Sequence, residues 1–73
     1  MLHKYSFEFY GTNGIIKRFN VLITPANFAR MVDYFCKLPC ASTILDGDLL
    51  AVYALKGKNG IIRDIVSRFN YML

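Results

Sequence analysis

Residues 3–25, HKYSFEFYGTNGIIKRFNVLITP, decide how this chain folds. His3, Tyr5, Phe7 and Phe9 alternate with Lys4, Ser6 and Glu8, the period-two pattern of a half-buried strand. Gly11-Thr12-Asn13-Gly14 is turn chemistry, because Gly and Asn tolerate positive φ. Alternation then resumes over residues 15–23, with Ile15, Phe19, Val21 and Ile23 opposed to Arg18 and Asn20. The two segments predict a β-hairpin. Thr24-Pro25 closes the stretch as a helix start, with Thr as N-cap and Pro at the first helical position.

Downstream, Phe28, Met31, Val32, Phe35 and Leu38 fall within roughly 120° of a helical wheel. Arg30, Asp33 and Lys37 lie opposite, and Pro39 stops the helix. A second hairpin is expected over residues 41–56, with Asp46-Gly47 as the turn pair. Its second strand, Leu49–Leu55, is apolar on both faces, as in a central strand or one covered by a partner. Gly57-Lys58-Asn59-Gly60 punctuates before a last helix from Ile61 to the terminus. There Ile61, Ile62, Ile65, Val66, Phe69, Met72 and Leu73 fill about 140° of arc.

These signals predict one α+β domain over residues 1–73 in ββαββα order. An antiparallel sheet of about four strands carries two amphipathic helices packed on it. A Gly-x-Asn-Gly-Ile-Ile-basic pattern at residues 11–17 recurs at 57–63, and Arg-Phe-Asn at 18–20 recurs at 68–70. The offset changes between the two matches, and one copy reads as strand where the other reads as helix. Chance explains that better than duplication.

Composition narrows the function. A 73-residue chain has one small core, yet 55% of its residues are hydrophobic and 15% aromatic. Some of that apolar surface is expected outside, against a partner or a second copy. Net charge is +4, from nine Lys/Arg against five Asp/Glu, which leans towards anionic partners and excludes an acidic nucleic-acid mimic. The longest apolar run, residues 49–55, is far short of the roughly 20 needed to span a membrane. The N-terminus shows no signal-peptide pattern, and two cysteines make no disulfide framework, so a cytoplasmic setting is expected.

Catalytic groups are sparse. The one histidine, His3, could be written with Cys36 or Cys40 and Asp33, but no spacing supports such a site. The same thiols and histidine stop at Cys₂His for zinc, so no metal or cofactor is expected. Asp46-Gly47-Asp48 reads as a turn and lacks the converging oxygens of a cation site. The Gly57–Gly60 loop opens a helix and could present N–H groups to phosphate beside Lys56, Lys58 and Arg63, yet it matches no phosphate-loop motif.

The reading that follows is a non-enzymatic protein-binding module, a regulator or inhibitor of a larger protein. A small free-standing chain of this kind also suits a phage or mobile-element inhibitor of a host enzyme or defence system, acting in the host cytoplasm. Its expected contacts are Arg63, Ser67, Arg68 and Tyr71, grouped on the outer face of the last helix, with Tyr53. A homodimer through the Leu49–Leu55 strand is a further expectation. The alternative is a nucleic-acid-binding domain using Lys17, Arg18, Lys56, Lys58 and Arg63. Charge placement separates the two: convergence of these cations on one face favours nucleic acid, and scatter around apolar surface favours protein.

Overall fold

The computed structural model describes residues 1–55 and 60–73. It contains β1 (His3–Gly11), β2 (Gly14–Ile23), α1 (Pro25–Cys36), β3 (Ala41–Asp46), β4 (Leu49–Ala54) and α2 (Ile61–Met72). The ββαββα order and α+β class are as the sequence predicts. Four strands form one sheet in the order β2-β1-β4-β3. Both hairpins are antiparallel, whereas the central β1–β4 ladder is parallel, pairing Ser6 with Leu49 through Tyr10 with Tyr53. The parallel ladder follows from packing. β1, whose Tyr5, Phe7 and Phe9 are buried, and the wholly hydrophobic β4 take the centre, and α1 crosses from one edge strand, β2, to the other, β3.

Thr24 caps α1 as expected, its Oγ1 accepting from the Asn27 N–H at 3.1 Å, with Pro25 in the first turn. Phe28, Met31 and Phe35 point from α1 into the core, and Ile65 and Phe69 point in from α2. They meet Tyr5, Phe7 and Phe9 of β1 and Leu50 and Val52 of β4. Phe69 is the hub: its ring lies 4.7 Å from Phe7, 5.2 Å from Phe9 and 4.6 Å from Phe19. Each such aromatic contributes about 1.5–3 kcal/mol by leaving water. One face of the sheet is thus covered by two helices. No described element covers the other.

Local details depart from the sequence reading in two places. Asp46 pairs with Leu49, so the second turn is Gly47-Asp48, one residue later than expected. Gly47 takes φ 58° and no described non-Gly residue has positive φ, which fits a type II′ turn with Gly in its first central position. In β2, Phe9 pairs with Lys17 but Tyr10 pairs with Ile15, leaving Ile16 as a bulge. The bulge breaks the alternation, so Ile15 and Ile16 are both exposed.

β4 is a central strand with a hydrogen-bonded neighbour on each side. That position accounts for its two-faced apolarity without a second copy. Leu50 and Val52 enter the core, and Leu49 and Tyr53 lie on the open face. The free edges of the sheet belong to β2 and β3.

Candidate functional site

On the open face of the sheet, Tyr53 stacks on Tyr10 with ring centroids 4.5 Å apart and planes 13° from parallel. The Tyr10 hydroxyl donates to Glu8 Oε1 at 2.8 Å, and Arg18 Nη1 lies 3.1 Å from Glu8 Oε2. The bond to Glu8 raises the Tyr10 phenol above its ordinary pKa, with desolvation and the Glu8 charge acting the same way. Arg18 is therefore committed to a half-buried carboxylate and faces away from the helices. Exposed Leu22 and Ile44 flank this group towards the two edge strands.

Lys17, next in sequence to Arg18, points the opposite way because successive strand residues alternate. Its Nζ sits 5.8 Å from the Phe19 ring centroid, on the helix side of the β2 edge. There a groove of about 640 Å³ runs between β2 and α2, lined by Ile16, Lys17, Ile62, Arg63, Val66 and Ser67. Its floor is aliphatic and its rim carries two cations. None of the described residues lining it is acidic.

Arg68 and Tyr71 lie on the other flank of α2. Residues 63 and 68 are separated by five helical steps of about 100°, which leaves them roughly 140° apart around the axis. Arg68 Nη1 donates to the Tyr34 hydroxyl of α1 at 2.6 Å. That bond, ahead of the other influences, raises the Arg68 guanidinium above its ordinary pKa. Arg30, Tyr34, Arg68, Tyr71 and Met72 surround a shallower hollow of about 280 Å³. Tyr71 is almost wholly exposed there, at 94%.

The structure thus brings Arg63 and Ser67 together with Lys17, and Arg68 together with Tyr71. It leaves Tyr53 and Arg18 on the far side of the sheet. The expected single outer face holding Arg63, Arg68 and Tyr71 divides into two flanks. Lys56 and Lys58 lie outside the described residues. Sequence reasoning missed Arg30 and Tyr34, whose i,i+4 spacing on α1 was visible. It also missed Ile16, which the bulge sets beside Lys17 in the groove on the helix side.

Of the groups considered for catalysis, His3, Cys36 and Asp33 lie against other side chains, Asp33 Oδ2 being 3.1 Å from Lys37 Nζ. His3 Nε2 lies 3.0 Å from Asp48 Oδ2, and Cys36 Sγ lies 3.1 Å from Thr43 Oγ1. Both cysteines are free thiols. No group of three or more potential metal ligands occurs among the described residues, and no described helix is long and apolar enough to cross a membrane. Comparison with protein-family models, curated proteins and solved structures finds no match for this chain.

Proposed function

We propose that this chain is a protein-binding module without catalysis of its own, which docks on a larger protein as its regulator or inhibitor. The observation that carries the reading is the scatter of the cations among the described residues. Lys17 and Arg63 line one groove, Arg30 and Arg68 surround another hollow, and Arg18 is held by Glu8 on the opposite sheet face. A backbone-tracking nucleic-acid site needs cations in one continuous strip. Here each small group sits beside exposed apolar side chains, among them Ile16, Leu22, Ile44 and Tyr71. Arg and Tyr beside apolar surface is the composition of protein interfaces. A host-cytoplasm setting belongs to the same proposal.

The test is a cross-linked pull-down from the native host, run with the wild-type chain and with an Arg63→Glu/Arg68→Glu variant. One larger protein recovered by the first and lost by the second supports the reading. Among the described residues, the nucleic-acid alternative draws on the Lys17–Arg63 pair. A gel shift on mixed DNA and RNA decides it: salt-sensitive retention at low salt would move the function there, and no retention removes it.

A further inference from the structure

We infer that the free edge of β2 and the groove beside it take an extended, acidic and apolar segment of the partner protein as a fifth strand. This rests on the protein-binding reading and names the surface and the chemistry of its occupant.

The backbone argument starts at Ser6. Its N–H donates to the Asp48 carbonyl at 2.9 Å, so Ser6 turns its polar backbone towards the β4 side. A strand residue points its N–H and C=O the same way, and successive residues alternate. The Cα partner of Ser6 on β2 is Asn20, which therefore receives no bonds from β1 and points its N–H and C=O out of the sheet. By the same alternation Arg18, paired with Glu8, and Leu22, paired with Lys4, also point outward. Three residues of ladder thus have no backbone partner among the described residues, along a ten-residue edge strand that contains no proline. An edge of this kind is a ready template for another strand.

Side chains define the occupant. A strand added about 4.8 Å beyond β2 alternates its side chains between the two faces of the sheet. Its helix-side residues come over the groove floored by Ile16, Ile62 and Val66 and rimmed by Lys17 and Arg63. Aliphatic residues fit that floor, and carboxylates fit those two cations. A second copy of this chain fits less well, because its β2 would bring another Lys17 to a groove already rimmed by Lys17 and Arg63.

The probe is an acetylated, amidated heptapeptide, Glu-Thr-Val-Thr-Val-Thr-Glu, which places valines and terminal glutamates on one face. It is titrated into the ¹⁵N-labelled chain. The expected result is saturable binding that shifts the amides of Arg18, Asn20 and Leu22 and slows their exchange with solvent. Lys17→Glu combined with Arg63→Glu weakens it by about tenfold or more. Asn20→Pro removes one outward N–H at an edge position where proline is tolerated, and abolishes binding while thermal unfolding keeps the fold in view. Asn20→Ala removes only the side chain that accepts from Ser6 Oγ, and leaves binding within about threefold of wild type.

Strand addition is overturned by absence of binding, by binding that survives Asn20→Pro, or by shifts confined to the Arg30–Tyr34–Arg68 hollow. Equal binding of a peptide with lysines in place of the glutamates overturns the acidic occupant. Concentration-dependent dimerisation protecting the same amides without peptide assigns the edge to a second copy instead. The cross-linked pull-down decides the broader protein-binding reading separately.

Discussion

Arg68 on α2 and Tyr34 on α1, 34 residues apart in sequence, are joined by a 2.6 Å hydrogen bond across the outer surface of the helix layer. The bond is exposed, so solvent competes for both groups and the stability it supplies is small. What it does is hold the guanidinium beside Arg30 and Tyr71. Tyr34→Phe should leave the melting temperature within a few degrees of wild type, measured by circular dichroism. Arg68 Nε and Nη resonances should lose their distinct environment in the same variant, read by ¹⁵N NMR.

The Tyr10–Glu8 bond makes a signed prediction about alkaline pH. The Tyr10 pKa is raised from the ordinary 10.0 in the fold, so its contribution is fully present below that value. The contribution is lost as pH rises through the folded-state pKa, because the unfolded chain gives up its phenolic proton first. Urea midpoints measured from pH 8 upward should therefore fall above about pH 10. Tyr10→Phe should remove part of that fall, and an unchanged slope would count against the coupling.

Phe69 has no solvent exposure and touches three other aromatic rings. Phe69→Ala should cost about 3–5 kcal/mol, since the cavity it leaves is lined by rings that cannot close over it. A domain holding only some 5–15 kcal/mol in total would be largely or partly unfolded by that change. Phe69→Leu should retain a cooperative urea transition at a lower midpoint.

The Thr24 cap is a smaller and cleaner test. Thr24→Ala leaves the Asn27 N–H without its 3.1 Å acceptor and should destabilise the fold by about 1 kcal/mol. Thr24→Ser keeps an oxygen in place and should stay near wild type in the same denaturation experiment.

Gly47 sits at φ 58° in the β3–β4 turn, with nothing within 4 Å of where a Cβ would lie. Gly47→Ala should therefore cost on the order of 1 kcal/mol through backbone strain alone, without steric collision. Gly47→Asn should cost less, because Asn tolerates positive φ in primed turns more readily than Ala. Chemical denaturation of the two variants side by side checks the order.

How much of this was legible beforehand depends on how local the cause is. Alternation in residues 3–10 puts Tyr5, Phe7 and Phe9 on one face, and all three are buried. Of the positions that helical spacing picks out, Phe28, Met31, Phe35, Ile65 and Phe69 are buried, Val32, Leu38, Ile61, Ile62, Val66 and Met72 are half-buried, and Leu73 is exposed. Thr24-Pro25 names the cap to the residue. These features are set by dihedral preferences and by periodicity within one element, and both are written in consecutive residues.

The candidate surface was only half legible. Arg63, Ser67, Arg68 and Tyr71 were identifiable as exposed positions of α2. Their division between two flanks depends on what lies beside each flank, β2 for the first pair and α1 for the second. Lys17 and Arg18 are neighbours in sequence, yet one rims a groove and the other is bound to Glu8 across the sheet.

By itself, then, the sequence determined the six elements, their order, and which side of β1 and of the two helices is apolar. Only the tertiary structure decided that β1 lies parallel to β4, that β2 is left at an edge, and that Asn20 turns its backbone outward there. The physical reason is that periodicity orients a side chain relative to its own strand or helix. The neighbour it then meets is set by packing between residues far apart in the chain, where Phe7, Phe35, Leu50 and Phe69 must close one core.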